Sequence, residues 1–292
     1  MMRGAEMIKN FKIGAHMPIS KGFGKVPYET LEIGGNSFQI FNHSPRVWRS
    51  SLPDIKETTK FRKSMEECKI NFDNAFVHSG YLVNLASPKE EVWNKSIKLL
   101  IQEIKICELL GLKYLNVHPG SHLGEGEEFG LKRIVEALKL VFRETESSNV
   151  VILLENVSPK GGNIGYKFEH LNYIMHAFEN RIAVTYDTCH GFDAGYDITT
   201  VSGMKKLIDE IENTVKIENI KMIHLNDSKY PLGSAKDRHE NIGKGFIGIS
   251  GFRNFLSFEE FQNIPLILET PGSNSEHAED IKILETEILC KL

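Results

Sequence analysis

The sequence predicts an eight-stranded parallel (β/α)8 barrel, and three observations carry the prediction. Short β-branched or apolar runs alternate with longer amphipathic segments along all 292 residues. Eight of those runs close on a polar residue: His16, Asn42, His78, His118, Glu155, Asp187, His224 and Glu269. Successive closing residues lie on average about 36 positions apart, the length of one β–α unit. Eight units in series suit a closed barrel, whose strand ends converge on one mouth. A doubly wound sheet is the rival, but it seldom places a polar residue at nearly every strand end.

The strand-like runs are 11–17, 37–42, 75–78, 114–118, 150–156, 182–187, 221–227 and 265–270. Helix-like segments follow most of them. In 92–110, Val92, Ile97, Leu100, Ile101, Ile104 and Leu109 recur near the helical period, and Gly111 stands where a helix C-terminal glycine belongs. Segments 131–142, 168–178 and 277–289 read the same way. The stretches 120–130, 158–165 and 229–248 read as loops over the mouth, the last long enough to point to function. With no linker or low-complexity tract, residues 11–292 read as a single domain and residues 1–10 as an N-terminal extension or alternative start.

The formal charge of −4 excludes a protein that coats nucleic acid through a broad basic surface. Bound cations could still reverse the sign locally; three divalent ions would turn −4 into +2. No apolar run reaches the length of a membrane span, and no secretory signal is visible. Cys68, Cys107, Cys189 and Cys290 are widely spaced, which points to a reducing cytoplasm rather than a disulfide framework or cysteine zinc site.

The six strand ends from the third onward carry His, Asp or Glu. His190 joins Asp187 in YDTCH, and Asp237 joins His239 in KDRHE. The resulting set is five imidazoles (His78, His118, His190, His224, His239) and four carboxylates (Glu155, Asp187, Asp237, Glu269). Nine such groups at one mouth would desolvate and repel one another without cations. Imidazole and carboxylate donors without thiolate suit zinc or manganese, and nine donors suit two or three ions. Each residue also has an ordinary reading: a strand-end acid such as Asp187 can cap the next helix. Likewise, 237–239 can be a solvated charge cluster. The coincidence of all nine favours metal. His43, His122, His170, His176 and His277 read as ordinary histidines, with His122 a possible supporting group; the role of His16 stays open.

The stretches IGAHMPISKG, NVHPGSHLG, LLENVSPKGGNIG, YDTCHGFDAGYD and HLNDSKYPLGSAKDRHENIGKGFIG resemble bacterial endonuclease IV, the second apurinic/apyrimidinic endonuclease family, over nearly the whole chain. The resemblance implies a TIM barrel with three Zn2+ per chain. His78 and His118 would hold the first ion, and Glu155 would bridge it to a second completed by Asp187, His224 and Glu269. His190, Asp237 and His239 would hold the third, with Mn2+ possible at one site. Two positions depart from the family pattern: Asp193, where a small residue is usual, and Lys244 in the HENIGKG loop. Neither is a ligand position, so the departures bear on loop contacts.

The resemblance further implies a DNA-repair hydrolase that cuts the phosphodiester 5′ to abasic sites, leaving a 3′-hydroxyl and a 5′-deoxyribose phosphate, with 3′-end repair as a second activity. A metal-bridging hydroxide would be the nucleophile, and Glu155 and Glu269 the catalytic carboxylates. Lowering the pKa of water from ~15.7 to ~7 contributes at most about 12 kcal/mol. Large enzymatic accelerations need up to ~23 kcal/mol, so further cations must stabilise the phosphate charge. Arg46 in HSPRVW and Tyr81–Leu82 in HSGYLVNL match the residues with which the family enters DNA at the lesion; Asn163 and Gly165 could add backbone contacts. An aromatic–aliphatic wedge can unstack a base step, and a base-less nucleotide costs least to flip. The implied partner is double-stranded DNA with abasic sites or blocked 3′ ends, bound by a monomer, with no membrane association. Two rivals stand beside this reading. One is a sugar isomerase or epimerase with two divalent ions, and the other a damaged-DNA binding module with structural zinc.

Overall fold

The computed structural model describes residues 11–48, 51–178 and 180–292, so the expected 1–10 extension lies outside the described residues. The strands are β1 (Ile13–Met17), β2 (Ser37–Phe41), β3 (Ala75–His78), β4 (Tyr114–Val117), β5 (Val151–Glu155), β6 (Ile182–Asp187), β7 (Ile220–His224), β8 (Asp227–Ser228), β9 (His239–Glu240) and β10 (Leu266–Leu268). β1 to β7 pair in order, and β10 closes the ring between β7 and β1, all parallel. β8 and β9 form a separate antiparallel ladder.

The helices are α1 (Val26–Glu32), α2 (Ile55–Glu67), α3 (Glu90–Leu110), α4 (Glu127–Glu144), α5 (Phe168–Met175), α6 (Thr188–Ala194), α7 (Val201–Asn213), α8 (Gly248–Leu256) and α9 (Asn274–Ile283). The large apolar core joins them to the outer face of the barrel. Among the described residues no helix is long and apolar enough to cross a membrane.

A second, smaller core plugs the barrel interior: Phe76, Tyr114, Leu153, Ala183, Met222 and Ile267. Strand side chains alternate faces, so residues two and four positions onward also point inward. That rule places His78, Asn116, Glu155, Thr185, His224 and Glu269 one layer above the plug, and His118 and Asp187 above Asn116 and Thr185. The site is therefore the upper layer of the same ladder whose lower layer is apolar. Register aligns the strands to suit: Glu155 lies opposite Thr185, and Asp187 opposite His224. Gly14 permits the closest strand contact, because a Cβ there would lie 1.5 Å from the Ser37 carbonyl oxygen.

Element bounds differ from expectation where capping decides them. Gly111 does end α3, in the left-handed region at φ 81°. The buried face of α3, however, runs through Trp93, Ile97, Leu100, Ile104, Cys107 and Leu110, leaving Leu109 39% exposed. α4 starts four residues before the expected 131, with Glu127 and Glu128 in a first turn that favours acids. α5 ends at Met175 rather than 178. α9 begins earlier than 277, at a Ser273–Glu276 capping box, and passes into a π-helical turn over Leu284–Ile288. The stretch 229–248, expected to be irregular, contains β9, whose two residues are too few to show a period.

Candidate metal centre

Three groups of donors converge at the C-terminal mouth, each with its ligand atoms within 4.8 Å of one another: His78, His118 and Glu155; Glu155, Asp187, His224 and Glu269; and Asp187, His190 and His239. Glu155 belongs to the first two and Asp187 to the last two. Glu155 is buried and faces both ways, with Oε2 3.1 Å from His118 Nε2 and 3.6 Å from His78 Nε2. Its Oε1 lies 3.2 Å from His224 Nδ1 and 3.1 Å from His190 Nδ1. Eight of the nine expected ligands thus share the three groups. Asp237 stands at their edge, with Oδ1 3.2 Å from His190 Nε2. The third group therefore draws on Asp187, which the sequence reading placed only in the second.

Backbone and amide oxygens orient four of the imidazoles. His78 Nδ1–H donates to the Ser79 carbonyl at 2.7 Å, His190 Nδ1–H to that of Asn156 at 3.0 Å, and His239 Nδ1–H to that of Glu269 at 3.0 Å. His224 Nε2–H donates to Gln39 Oε1 at 3.0 Å. The opposite nitrogen of each ring then faces a carboxylate across the site, a pairing that needs a proton or a cation between the atoms. His239 Nε2 shows this plainly: it is buried with no hydrogen-bond partner among the described residues, 3.6 Å from Asp187 Oδ2. The donor set, the fixed ring orientations and this orphaned nitrogen fit divalent ions of the zinc class.

Electrostatics agree. Burial alone would push the His224 pKa down, but the charges of Glu269 and Glu155 outweigh it and push it up to about 9. His190 is likewise raised, with Asp187 foremost against its burial. Burial would raise the carboxyl of Glu155, yet His118 and His224 hold it well below the usual range. Without cations, protons supply the positive charge that the carboxylates demand.

Sequence reasoning missed the amides that hold this set. Gln39 Nε2 donates to Glu269 Oε1 at 2.6 Å and also lies 2.9 Å from His16 Nδ1. Asn116 Nδ2 donates to Glu155 Oε2 at 2.5 Å, and Asn226 Nδ2 to Asp187 Oδ2 at 2.7 Å. Gln39 and Asn116 are the one amide in each of their short strands, SFQIF and YLNV. Asp187 Oδ1 caps α6 through the His190 N–H at 2.8 Å, as its ordinary reading expected, while Oδ2 faces the other donors. His16 joins the site through Glu269 Oε1 at 3.2 Å. His122 does not support it; Nδ1 instead accepts the N–H groups of Gly124 and Gly126 in the turn before α4. Asn163 Nδ2 donates to the Ser158 carbonyl in its own loop at 3.2 Å, and Gly165 N–H to His170 Nδ1 in α5 at 3.2 Å.

At the rim, Arg46 and Tyr81 are exposed, Tyr81 by 61%, and Leu82 is half-buried. Tyr81 packs edge-on to Phe41, with ring centroids 5.0 Å apart, and its N–H donates to the Pro45 carbonyl at 2.9 Å. The loops after β2 and β3 thus form one unit beside the donor groups.

The sequence profile of the family described as xylose isomerase-like TIM barrel matches residues 27–287. A protein named probable endonuclease 4 from Thermotoga neapolitana is 62% identical over 273 residues, 93% of this chain and 94% of its own. Among solved structures, endonuclease IV from Thermus thermophilus superposes with a TM-score of 0.82 at 31% identity, covering 93% of this chain and 97% of its own. A D-tagatose 3-epimerase-like protein superposes at 0.71 with 18% identity, over 95% of this chain and 98% of its own, a likeness of fold alone.

Proposed function

Because this chain belongs to the endonuclease IV family of TIM barrels, we propose that it is a DNA-repair enzyme that hydrolyses the phosphodiester 5′ to abasic sites in duplex DNA. Its products are a 3′-hydroxyl and a 5′-deoxyribose phosphate, and blocked 3′ ends are a second substrate. The observation that carries this reading is the chain of three donor groups joined by Glu155 and Asp187.

Three zinc ions would be held, with His78, His118 and Glu155 on one, Glu155, Asp187, His224 and Glu269 on the next, and His190, His239, Asp187 and Asp237 available to the third. Manganese is an alternative at one of them. When bound, the ions supply water of lowered pKa and positive charge against the phosphate. The protein's residues do the rest. Glu155 spans two donor groups, and Glu269 completes the central one while His16 and Gln39 hold its Oε1. Tyr81 and Leu82 enter the base stack at the lesion, and Arg46 binds the strand beside them. A nucleotide without a base is the cheapest to turn outward, so wedging itself selects the substrate. A monomer suffices, since a single mouth receives the bent duplex.

A ketose isomerase or epimerase on the same fold would use two ions and leave His190, Asp237 and His239 idle. Nicking of an abasic duplex by wild type and Glu155→Ala separates the readings. Wild type should nick, and the variant should lose more than the roughly 10–100-fold typical of a merely supporting group. Ketose turnover without nicking would overturn the proposal.

A further inference from the structure

The segment that brings Asp237 and His239 to the mouth is irregular up to β9, yet one buried side chain holds it. Asp193, in α6, is 1% exposed. Its Oδ2 accepts the backbone N–H groups of Lys236 at 3.1 Å and Asp237 at 2.5 Å. The same oxygen accepts the hydroxyl of Ser158, from the loop after β5, at 3.2 Å. Main-chain bonds extend the seam: Gly233 N–H donates to the Phe192 carbonyl at 2.9 Å, and Ala235 N–H to that of Asp193 at 3.4 Å. Segment 233–237 is therefore laid along the helix that also carries His190.

The backbone of that segment needs support. Ala235 (φ 53°) and Asp237 (φ 52°) are both in the left-handed region, which disfavours residues with a Cβ. Two successive N–H groups aimed at one oxygen form a small anion-binding nest, and an ionised carboxylate is its strongest acceptor. Asp193 Oδ1, meanwhile, is buried with no hydrogen-bond partner among the described residues. A carboxylate half-satisfied in the interior is costly in itself. Packing alone does not account for it; the order it imposes on 236–237 does.

We propose that Asp193 is a positioning residue for the third donor group, fixing the backbone at Lys236–Asp237 so that the Asp237 carboxylate meets His190. It contributes no ligand atom. This rests on the three-ion reading above. Without Asp193, the segment must be ordered by the third ion itself, so that ion alone is weakened.

The test is zinc titration of metal-stripped full-length protein through buffered free-zinc concentrations, with bound ions counted by atomic emission. Wild type, Asp193→Ala, Asp237→Ala and the double variant are compared. Asp193→Ala should keep two ions at wild-type affinity and bind the third roughly 10–100-fold more weakly. The double variant should be no weaker than Asp237→Ala, because the two residues act on one interaction. Asp193→Asn retains an acceptor oxygen and should recover part of the loss; it replaces the alanine variant if that fails to fold. An unchanged third ion, equal weakening of all three, or additive losses in the double variant would each overturn the proposal. A wild type that takes up only two ions overturns the three-ion reading, and this proposal with it.

Discussion

Glu103 Oε1 lies 2.7 Å from His43 Nε2, and both side chains are buried beneath the two loops that carry Arg46 and Tyr81. The same oxygen accepts the Gly80 N–H at 2.8 Å, so one carboxylate on α3 joins the loop after β2 to the loop after β3. Burial alone would lower the His43 pKa, but the hydrogen bond and charge of Glu103 outweigh it and hold it above 6.5. A raised histidine contributes its full stability below its unfolded pKa and loses it as pH rises through the folded one. Glu103→Gln should therefore cost more stability near pH 6 than near pH 9, read as the difference in denaturant unfolding free energy from wild type. A difference independent of pH would contradict the pairing.

The proposed metal centre has its own pH signature. With His224 pushed up to about 9 and His190 also raised, both carry protons at neutral pH in the metal-stripped protein. Zinc must displace those protons. Binding near pH 7 should release protons, and affinity should climb as pH rises toward 9. Calorimetry in two buffers of different ionisation enthalpy reads the release directly; identical heats would contradict it.

Gln39 links His224 to Glu269 from the floor of the site. Gln39→Leu keeps the volume and removes both bonds, so zinc affinity should fall roughly 10–100-fold. Competition with a chromophoric chelator measures this, and an unchanged affinity would show that the amide is only filler.

These cases also mark how far the sequence was legible. Ligand types recur at the strand ends with the spacing of a β–α unit, and a strand's two-residue period carries each above an apolar plug residue, as Leu153 lies below Glu155. The barrel and the convergence of these donor types at its mouth could thus be read together. Gln39, Asn116 and Asn226 escaped because an amide is an ordinary polar residue until its neighbours are known. His43 looked ordinary because its partner, Glu103, is 60 positions away. Asp193 stood out only as a departure, and its contacts lie across a loop whose short ladder leaves no pattern.

Tyr81→Ala combined with Leu82→Gly should weaken binding to an abasic duplex by about 1–3 kcal/mol, the scale of one stacked aromatic. Binding to undamaged duplex should change far less. Equal losses on both, measured by fluorescence anisotropy, would show that these residues do not probe the lesion.

The proposed function is that of a three-ion phosphodiesterase acting at abasic sites. Its most direct test is one preparation on which zinc per chain and the nick in an end-labelled abasic duplex are both determined. Three zinc ions per chain and a single cut immediately 5′ to the abasic residue, leaving a 3′-hydroxyl, are expected. Two ions per chain with the duplex left intact would contradict it.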